Sequence, residues 1–509
     1  MIKVKNAIEK LDEIFEKYNF LFLVPVLALF LYSRFQYLGE ISYYMHIDEL
    51  QEAYDALCLA HFGTTGSGNA ASVYMSGSGH NALFILLSAL IMKVKGGLFS
   101  LKLFRLLSVA AGLFGAAFSY LTVMELTGKK KYAFLEAIIV TCLPIYFISQ
   151  RAGVEDYLFL EIVPAAYFFL LKGLSSGKRV LYIISGILFG LILLTSESTY
   201  FIVPVFLAAS AVYIIVMKKA DIKSIAALCI PVIVFAVLLL IFGHGSAKLG
   251  FSNAVANIKN IKALFWDDLH PFNISSTFGT VFIFSIPLLI TGVIVSIAET
   301  ISCIRRKEYT PGILLWIFAL TVIICSLFTE GADLQSGNSL FFAISLLLAD
   351  GMIYVSKNLK YTFIIEIAVY LICFRIFTYY YFENFNSEVN NSTDHEIGTV
   401  VDKSVGEAVK SALKLLPGKE ISIITDDFEG RNLMIALYAD ASPADYQAFK
   451  DQDSFSFGIV RVNSGEEPGS NPATVYIIDQ AEHQDMIDSL TAQGWGYVYL
   501  KEYTICFMQ

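Results

Sequence analysis

Apolar runs at 20–38, 101–126, 223–242 and 279–303 reach or approach the ~20 residues that a helix needs to span hydrocarbon. A chain with several such runs is a polytopic α-helical membrane protein. Composition agrees. The 509 residues are 56% hydrophobic and 16% charged, with a mean hydropathy of +0.62, against about 25% charged residues in an ordinary soluble protein.

The first twenty residues, MIKVKNAIEKLDEIFEKYNF, lack a short apolar core followed by a small-residue cleavage site. Residues 1–19 are therefore expected to form a cytoplasmic amphipathic helix leading into an uncleaved first span. The net charge of −9 is unevenly distributed. Residues 380–509 hold 21 acidic and 8 basic side chains, which leaves 24 acids and 28 bases for the remainder. A basic membrane part with an acidic tail argues against nucleic acid, which needs a clustered basic surface. The seven cysteines show no CxxC pair or other metal spacing, and most fall inside apolar runs.

Short basic loops face the cytoplasm. The strongest here are GKKK (128–131), KGLSSGKR (172–179), MKKADIK (217–223), RRKEY (305–309) and SKNLK (356–360). Placing all of them inside requires eleven spans. It also requires NALFILLSALIMKVKGG (81–97), with about thirteen apolar residues before Lys93, to lie in the outer interface rather than cross. The remaining connections, including 39–100, 329–338 and everything after about 380, then face outward and carry all seven histidines. The expected location is the plasma membrane, with the C-terminal region extracytoplasmic.

Beyond a polar linker (FENFNSEVNNSTDHE), the tail alternates between periods. VVDKSVGEAVKSALKLL and AEHQDMIDSLTAQG read as helices, while ISIITD, TVYIID and YVYLKEYTICFM read as strands. The expected organisation is a transmembrane domain over 20–379, with a first outer loop at 39–100, and an α/β domain over 380–509. Asp426-Asp427 sits at a strand end, where a solvated turn is the plainer reading.

The stretch YYMHIDELQEAYDALCLAHFG (43–63) places charge next to the membrane, where it is costly unless water or function holds it. As a helix it would put Ile47, Leu50, Tyr54 and Leu57 on one face and Asp48, Glu52 and Asp55 on another. Asp48-x-x-Gln51 has the spacing of a capping box, so Asp48 reads either as a helix cap on a solvated acidic face or as a functional carboxylate.

HIDELQEAYDALCLAHFG, NALFILLSALI, LKLFRLLSVAAGLFG and PIYFISQRAGVEDYLFL, in that order, resemble the start of a GT-C membrane glycosyltransferase. They are similar in particular to the bacterial relatives of the protein O-mannosyltransferases and the lipid A aminoarabinose transferase. WDDLHPFNISSTFGTVFIFSIPLLITG and the acidic tail extend the likeness. The resemblance implies a GT-C-like fold of about eleven spans and transfer of a sugar from a polyprenyl-phosphate donor, at the outer membrane face, to a glycan, lipid or protein acceptor. It implies Asp48 as the base that takes the acceptor proton, Glu49 as a residue that orients the acceptor or supports Asp48, and Arg105, Arg151 and Lys102 as cations for the donor phosphate. His46, His80, Glu155 and Asp156 are candidates for acceptor or substrate contacts. No metal or other cofactor is expected.

Many relatives carry an Arg with flanking asparagines before the tenth span. Here that loop reads EGADLQSGNSLFF, without Arg or Lys. Arg105, Arg151 and Lys102 then suffice, or the donor differs, or activity has been lost and the chain serves as an envelope scaffold. A lipid-linked glycan transporter or flippase is the reading from another class. It would favour internal repeats and broken paired helices, and no convincing repeat is present.

Overall fold

Among the described residues, eight helices are long and apolar enough to cross a membrane: Phe15–Phe35, Leu101–Thr127, Tyr157–Ser176, Thr199–Val216, Ile222–Ile241, Ser285–Arg306, Leu340–Asn358 and Thr362–Asn384. Ala82–Val94, Arg179–Ile192 and Gly312–Phe328 are shorter apolar helices. The structure is a computed structural model. It describes residues 2–508 apart from 42, 71–73, 76–79, 98, 243–249, 260–277, 329–337, 360–361, 391–399, 426–429, 464–470 and 472. His244, His270, His395, Asp426-Asp427, the WDD of 266–268 and all of the 329–338 loop but Asn338 lie outside the described residues.

The segment expected to make the third span is divided into Lys130–Cys142 and Pro144–Ser149. Leu143 between them is extended, at ψ 133°. Proline disfavours the helical conformation in the residue before it and has no N–H to continue the ladder, so the helix restarts with Pro144 in its first turn.

The chain forms two compact units. The first comprises Met1–Leu38, His80–Phe84 and Arg105–Phe385, and the second Gly39–Gly79, Ile85–Phe104 and Asn386–Gln509. In the first unit, glycines let helices approach closely. A methyl group on Gly292 would sit 1.8 Å from the Leu347 carbonyl oxygen, and one on Gly351 would sit 1.9 Å from that of Leu288. Small residues at such crossings are the usual device where water provides no drive to associate. Side chains such as Ile222, Val216 and Leu240 remain exposed, as lipid-facing positions require.

The second unit carries a six-stranded mixed sheet of β5 (Glu420–Ile424), β6 (Phe455–Phe457), β7 (Val460–Asn463), β8 (Thr474–Asp479), β9 (Gly496–Leu500) and β10 (Tyr503–Phe507), in the order β6-β7-β5-β8-β10-β9. β5 pairs in parallel with β7 and β8, and the outer pairs are antiparallel. Five of the six β8 residues are buried, which accounts for the nearly continuous apolar run TVYII in a central strand. Ile424, Tyr476, Ile478, Ile487, Leu490, Trp495 and Cys506 form one core cluster. The helix Gln480–Ala492 ends on Gly494 (φ +90°), whose left-handed backbone lets the Trp495 N–H reach the Leu490 carbonyl at 3.1 Å.

The helix expected over VVDKSVGEAVKSALKLL is present only from Ser404 to Leu415, because Val400–Asp402 is a strand. AEHQDMIDSLTAQG gives helix Gln480–Ala492, ISIITD and TVYIID give β5 and β8, and YVYLKEYTICFM gives the two strands β9 and β10. The unit also has elements not expected: β6, β7 and the helices Arg431–Ala439 and Pro443–Phe449. A further short pair joins β1 (Tyr44–His46) to β4 (Val400–Asp402), antiparallel, with His46 opposite Val400.

Candidate active site

The β1–β4 ladder sets where the helix of the acidic stretch begins. His46 is held extended at φ −65°, ψ 151°, and the helix runs Ile47–His61. His46 is its N-cap: Nδ1 accepts from the Asp48 backbone N–H at 3.2 Å and lies 3.2 Å from the Asp48 carboxylate. The cap reading of Asp48 with Gln51 is therefore not met, because Ile47 is already helical and Asp48 is the second helical residue. A carboxylate at that place faces the open N–H groups of the helix start, where negative charge is favoured.

The solvated acidic face is not met either. Glu49 and Glu52 are 0% exposed and Asp55 is 3% exposed, whereas the Asp48 side chain keeps 33%. Asp55 accepts the Gly66 N–H at 2.7 Å. The Tyr54 hydroxyl donates to the carbonyls of Ala441 (3.1 Å) and Ser442 (3.3 Å). His61 Nδ1 lies 2.8 Å from the Asp440 carboxylate. Helix Ile47–His61 packs on Arg431–Ala439, so residues 47–61 are anchored along their whole length within the second unit. Burial raises the Tyr54 hydroxyl and pushes the Cys58 thiol up to about 12, which leaves both protonated and unreactive at neutral pH.

The remaining candidates are distributed between the units. Lys102, in the second unit, is exposed; Arg105, in the first, is 2% exposed near the start of Leu101–Thr127. His80 opens β3 (His80–Asn81). Glu155 is buried and Asp156 half-buried, just ahead of helix Tyr157–Ser176, and the Asp156 carbonyl accepts from Asn338 Nδ2 at 2.8 Å.

Arg151 is buried and grips the end of the first helix. Its Nη1 donates to the carbonyls of Ser33 (3.0 Å), Arg34 (2.8 Å) and Gln36 (2.9 Å), and Nη2 reaches that of Tyr37 at 3.4 Å. The last carbonyls of a helix have no partner within it, and a guanidinium fork supplies several donors at once. The rings of Phe147, Tyr381 and Phe382 each lie 5.3 Å from its central carbon.

A neighbouring network was not anticipated. Arg34 Nε donates to Gln150 Oε1 at 2.9 Å, and Gln150 Nε2 to Glu161 Oε1 at 3.1 Å. All three are buried. The available signal was an ionisable residue, Arg34, at the end of an apolar run, which calls for a buried partner. Among the described residues no group of three or more His, Cys, Asp or Glu is placed to hold a metal ion.

No protein-family model matches the chain, and no curated protein matches it. Solved structures do. The crystal structure of the Archaeoglobus fulgidus oligosaccharyltransferase in complex with Zn and sulfate has a TM-score of 0.53 at 11% identity, covering 82% of this chain and 61% of that one. Its apo form has a TM-score of 0.52 at 11% identity, over 83% and 64%. ArnT from Cupriavidus metallidurans bound to undecaprenyl phosphate has a TM-score of 0.50 at 12% identity, covering 96% of this chain and 98% of that one. The chain thus spans less than two thirds of the oligosaccharyltransferases' length but nearly all of ArnT. At these identities the likeness is one of fold. The chain shares the fold of these structures, which are GT-C membrane glycosyltransferases, and has a strand-containing C-terminal region.

Proposed function

We propose that this protein transfers a sugar from a polyprenyl-phosphate-linked donor to an envelope acceptor at the outer face of the plasma membrane, with inversion and with Asp48 as the base. The observation that carries this is the selective exposure of Asp48. Of the four carboxylates on helix Ile47–His61, it alone keeps a third of its side chain accessible, while Glu49, Glu52 and Asp55 are buried. The fold supports the donor class, since one neighbour is a structure bound to undecaprenyl phosphate.

In this reading the acceptor hydroxyl oxygen attacks the anomeric carbon as Asp48 removes its proton. The bond from that carbon to the phosphate oxygen breaks, and polyprenyl phosphate leaves with the electron pair. His46 caps the helix by accepting the Asp48 backbone N–H at Nδ1 and so fixes where Asp48 stands, and Glu49 supports it from within the helix. The resemblance assigns the leaving phosphate to Arg105 and Lys102. Arg151, expected from the resemblance to share that task, is assigned here to holding the end of the first span.

Asp48→Asn tests the proposal. It keeps the size of the side chain and removes its basicity. The purified chain, supplied with polyprenyl-phosphate sugars, should release polyprenyl phosphate about 10²–10⁴-fold more slowly in the variant. Near-unchanged release by Asp48→Asn in an active protein overturns Asp48 as the base. A product with retained anomeric configuration overturns the single displacement.

A further inference from the structure

The first unit contains a cavity of about 420 Å³ that the proposed reaction does not use. It lies at the end of the helices where Leu101–Thr127 stops, Gly312–Phe328 starts and Leu340–Asn358 runs out, and Lys129, Lys357, Glu299, Asp350 and Tyr132 line it. The two lysines converge. Their ammonium groups lie 5.6 Å (Lys129) and 5.5 Å (Lys357) from the centre of the Tyr132 ring.

The two carboxylates are brought together by helix packing. Gly292 and Gly351 set helices Ser285–Arg306 and Leu340–Asn358 in backbone contact. Glu299 follows Gly292 by two turns on the same face, and Asp350 adjoins Gly351. Among the described residues, none of these four charged ends makes a hydrogen bond or an ion pair. Two cations and two anions thus face one opening, with Lys357 and Asp350 near enough to interact through space but not hydrogen-bonded.

The geometry points to a site for a zwitterionic phospholipid headgroup, a phosphodiester bearing a primary ammonium. The phosphate sits against Lys129 and Lys357, and the ammonium donates to Glu299 and Asp350. A simple anion would satisfy the lysines and be repelled by the carboxylates. A quaternary ammonium has no N–H to donate. Position argues for a lipid as the source, since the cavity opens at the ends of membrane-crossing helices, where headgroups lie.

Native mass spectrometry of the full chain in detergent tests this, with phosphatidylethanolamine, phosphatidylcholine, phosphatidylglycerol and free phosphoethanolamine added separately. Phosphatidylethanolamine should bind about tenfold more tightly than either other lipid, the usual gain from charge-assisted hydrogen bonds. Glu299→Gln, at an exposed position, should abolish that preference while leaving phosphatidylglycerol binding intact or improved. Lys357→Gln should weaken all three lipids. Equal binding of the three lipids, or a preference that survives Glu299→Gln, overturns the site. Free phosphoethanolamine binding as well as the lipid overturns the lipid as its occupant.

Discussion

Glu502 and Asp48 are two carboxylates of the second unit that keep contact with water. Glu502 is exposed in the turn between β9 and β10, and partial desolvation, with the nearby charges of Asp402 and Asp479, pushes its carboxyl up to about 7. An unfolded glutamate titrates near 4.3. A folded value above the unfolded one means that the native state holds its proton more tightly. The resulting stabilisation, small because solvent screens an exposed side chain, is complete below about pH 4.3 and is lost as pH rises through about 7. Glu502→Gln removes the titration. Thermal unfolding of the full chain should therefore match the wild type near about pH 4 and favour the variant at about pH 8; a difference that does not change with pH would exclude this account. The sequence marked Asp48 and its neighbours as worth attention but misread their environment. Helical spacing put Asp48, Glu52 and Asp55 on one face, and only the partner surface decides whether such a face meets water or protein. That surface is Arg431–Ala439, together with the strand β4 that pairs with β1, hundreds of residues away in the chain.

At the scale of elements, the turn between Ser149 and Tyr157 clamps the end of the first helix from two sides. Gln150 holds the side chain of Arg34, and Arg151 holds the carbonyls of residues 33, 34, 36 and 37. Arg151→Ala leaves those carbonyls short of donors and should cost about 1.5–3 kcal/mol, the usual range for hydrogen bonds to a charged group. A lowered melting temperature with unchanged donor affinity is the expected signature. Arg105→Ala, at an equally buried position, should also lower melting and should in addition lose donor affinity roughly ten- to hundredfold. If Arg151→Ala melts normally and loses donor affinity instead, the assignment of the two arginines must be exchanged. The glycine crossing gives a second test. Gly292→Ala places a methyl 1.8 Å from the Leu347 carbonyl oxygen, so the helices must separate, at about 1–3 kcal/mol for an overpacked contact. An unchanged melting temperature would show that this crossing is loose. The apolar segments were legible from run length alone, as was the strand–helix alternation of the tail. The short β6, β7 and Pro443–Phe449 were not, because three to seven residues carry too little periodicity to separate an element from a loop.

For the whole molecule, the arrangement of spans decides whether the proposed chemistry is possible. Eight helices meet the length and composition of a crossing. Arg179–Ile192, Gly312–Phe328 and the divided pair Lys130–Cys142 and Pro144–Ser149 occupy the places of the other three needed for eleven. Ala82–Val94, with 13 residues, rises about 20 Å and falls short of the ~30 Å hydrocarbon core, as an interfacial helix would. With the basic loops inside, an odd number of crossings puts residues 386–509 and helix Ile47–His61 on the same outer side. The β1–β4 pairing and the contact with Arg431–Ala439 demand a shared side in any case, because hydrogen-bonded strands cannot lie across a bilayer from each other. Asp48 and the C-terminal sheet therefore stand or fall together in topology. Lys450 is exposed, and the native cysteine of that sheet, Cys506, is buried. Lys450→Cys should react with a membrane-impermeant maleimide in intact cells, above the labelling of the parent chain. Reaction only after lysis would place Asp48 inside the cell with the sheet and overturn an outer-face reaction, whatever the Asp48→Asn variant does in vitro.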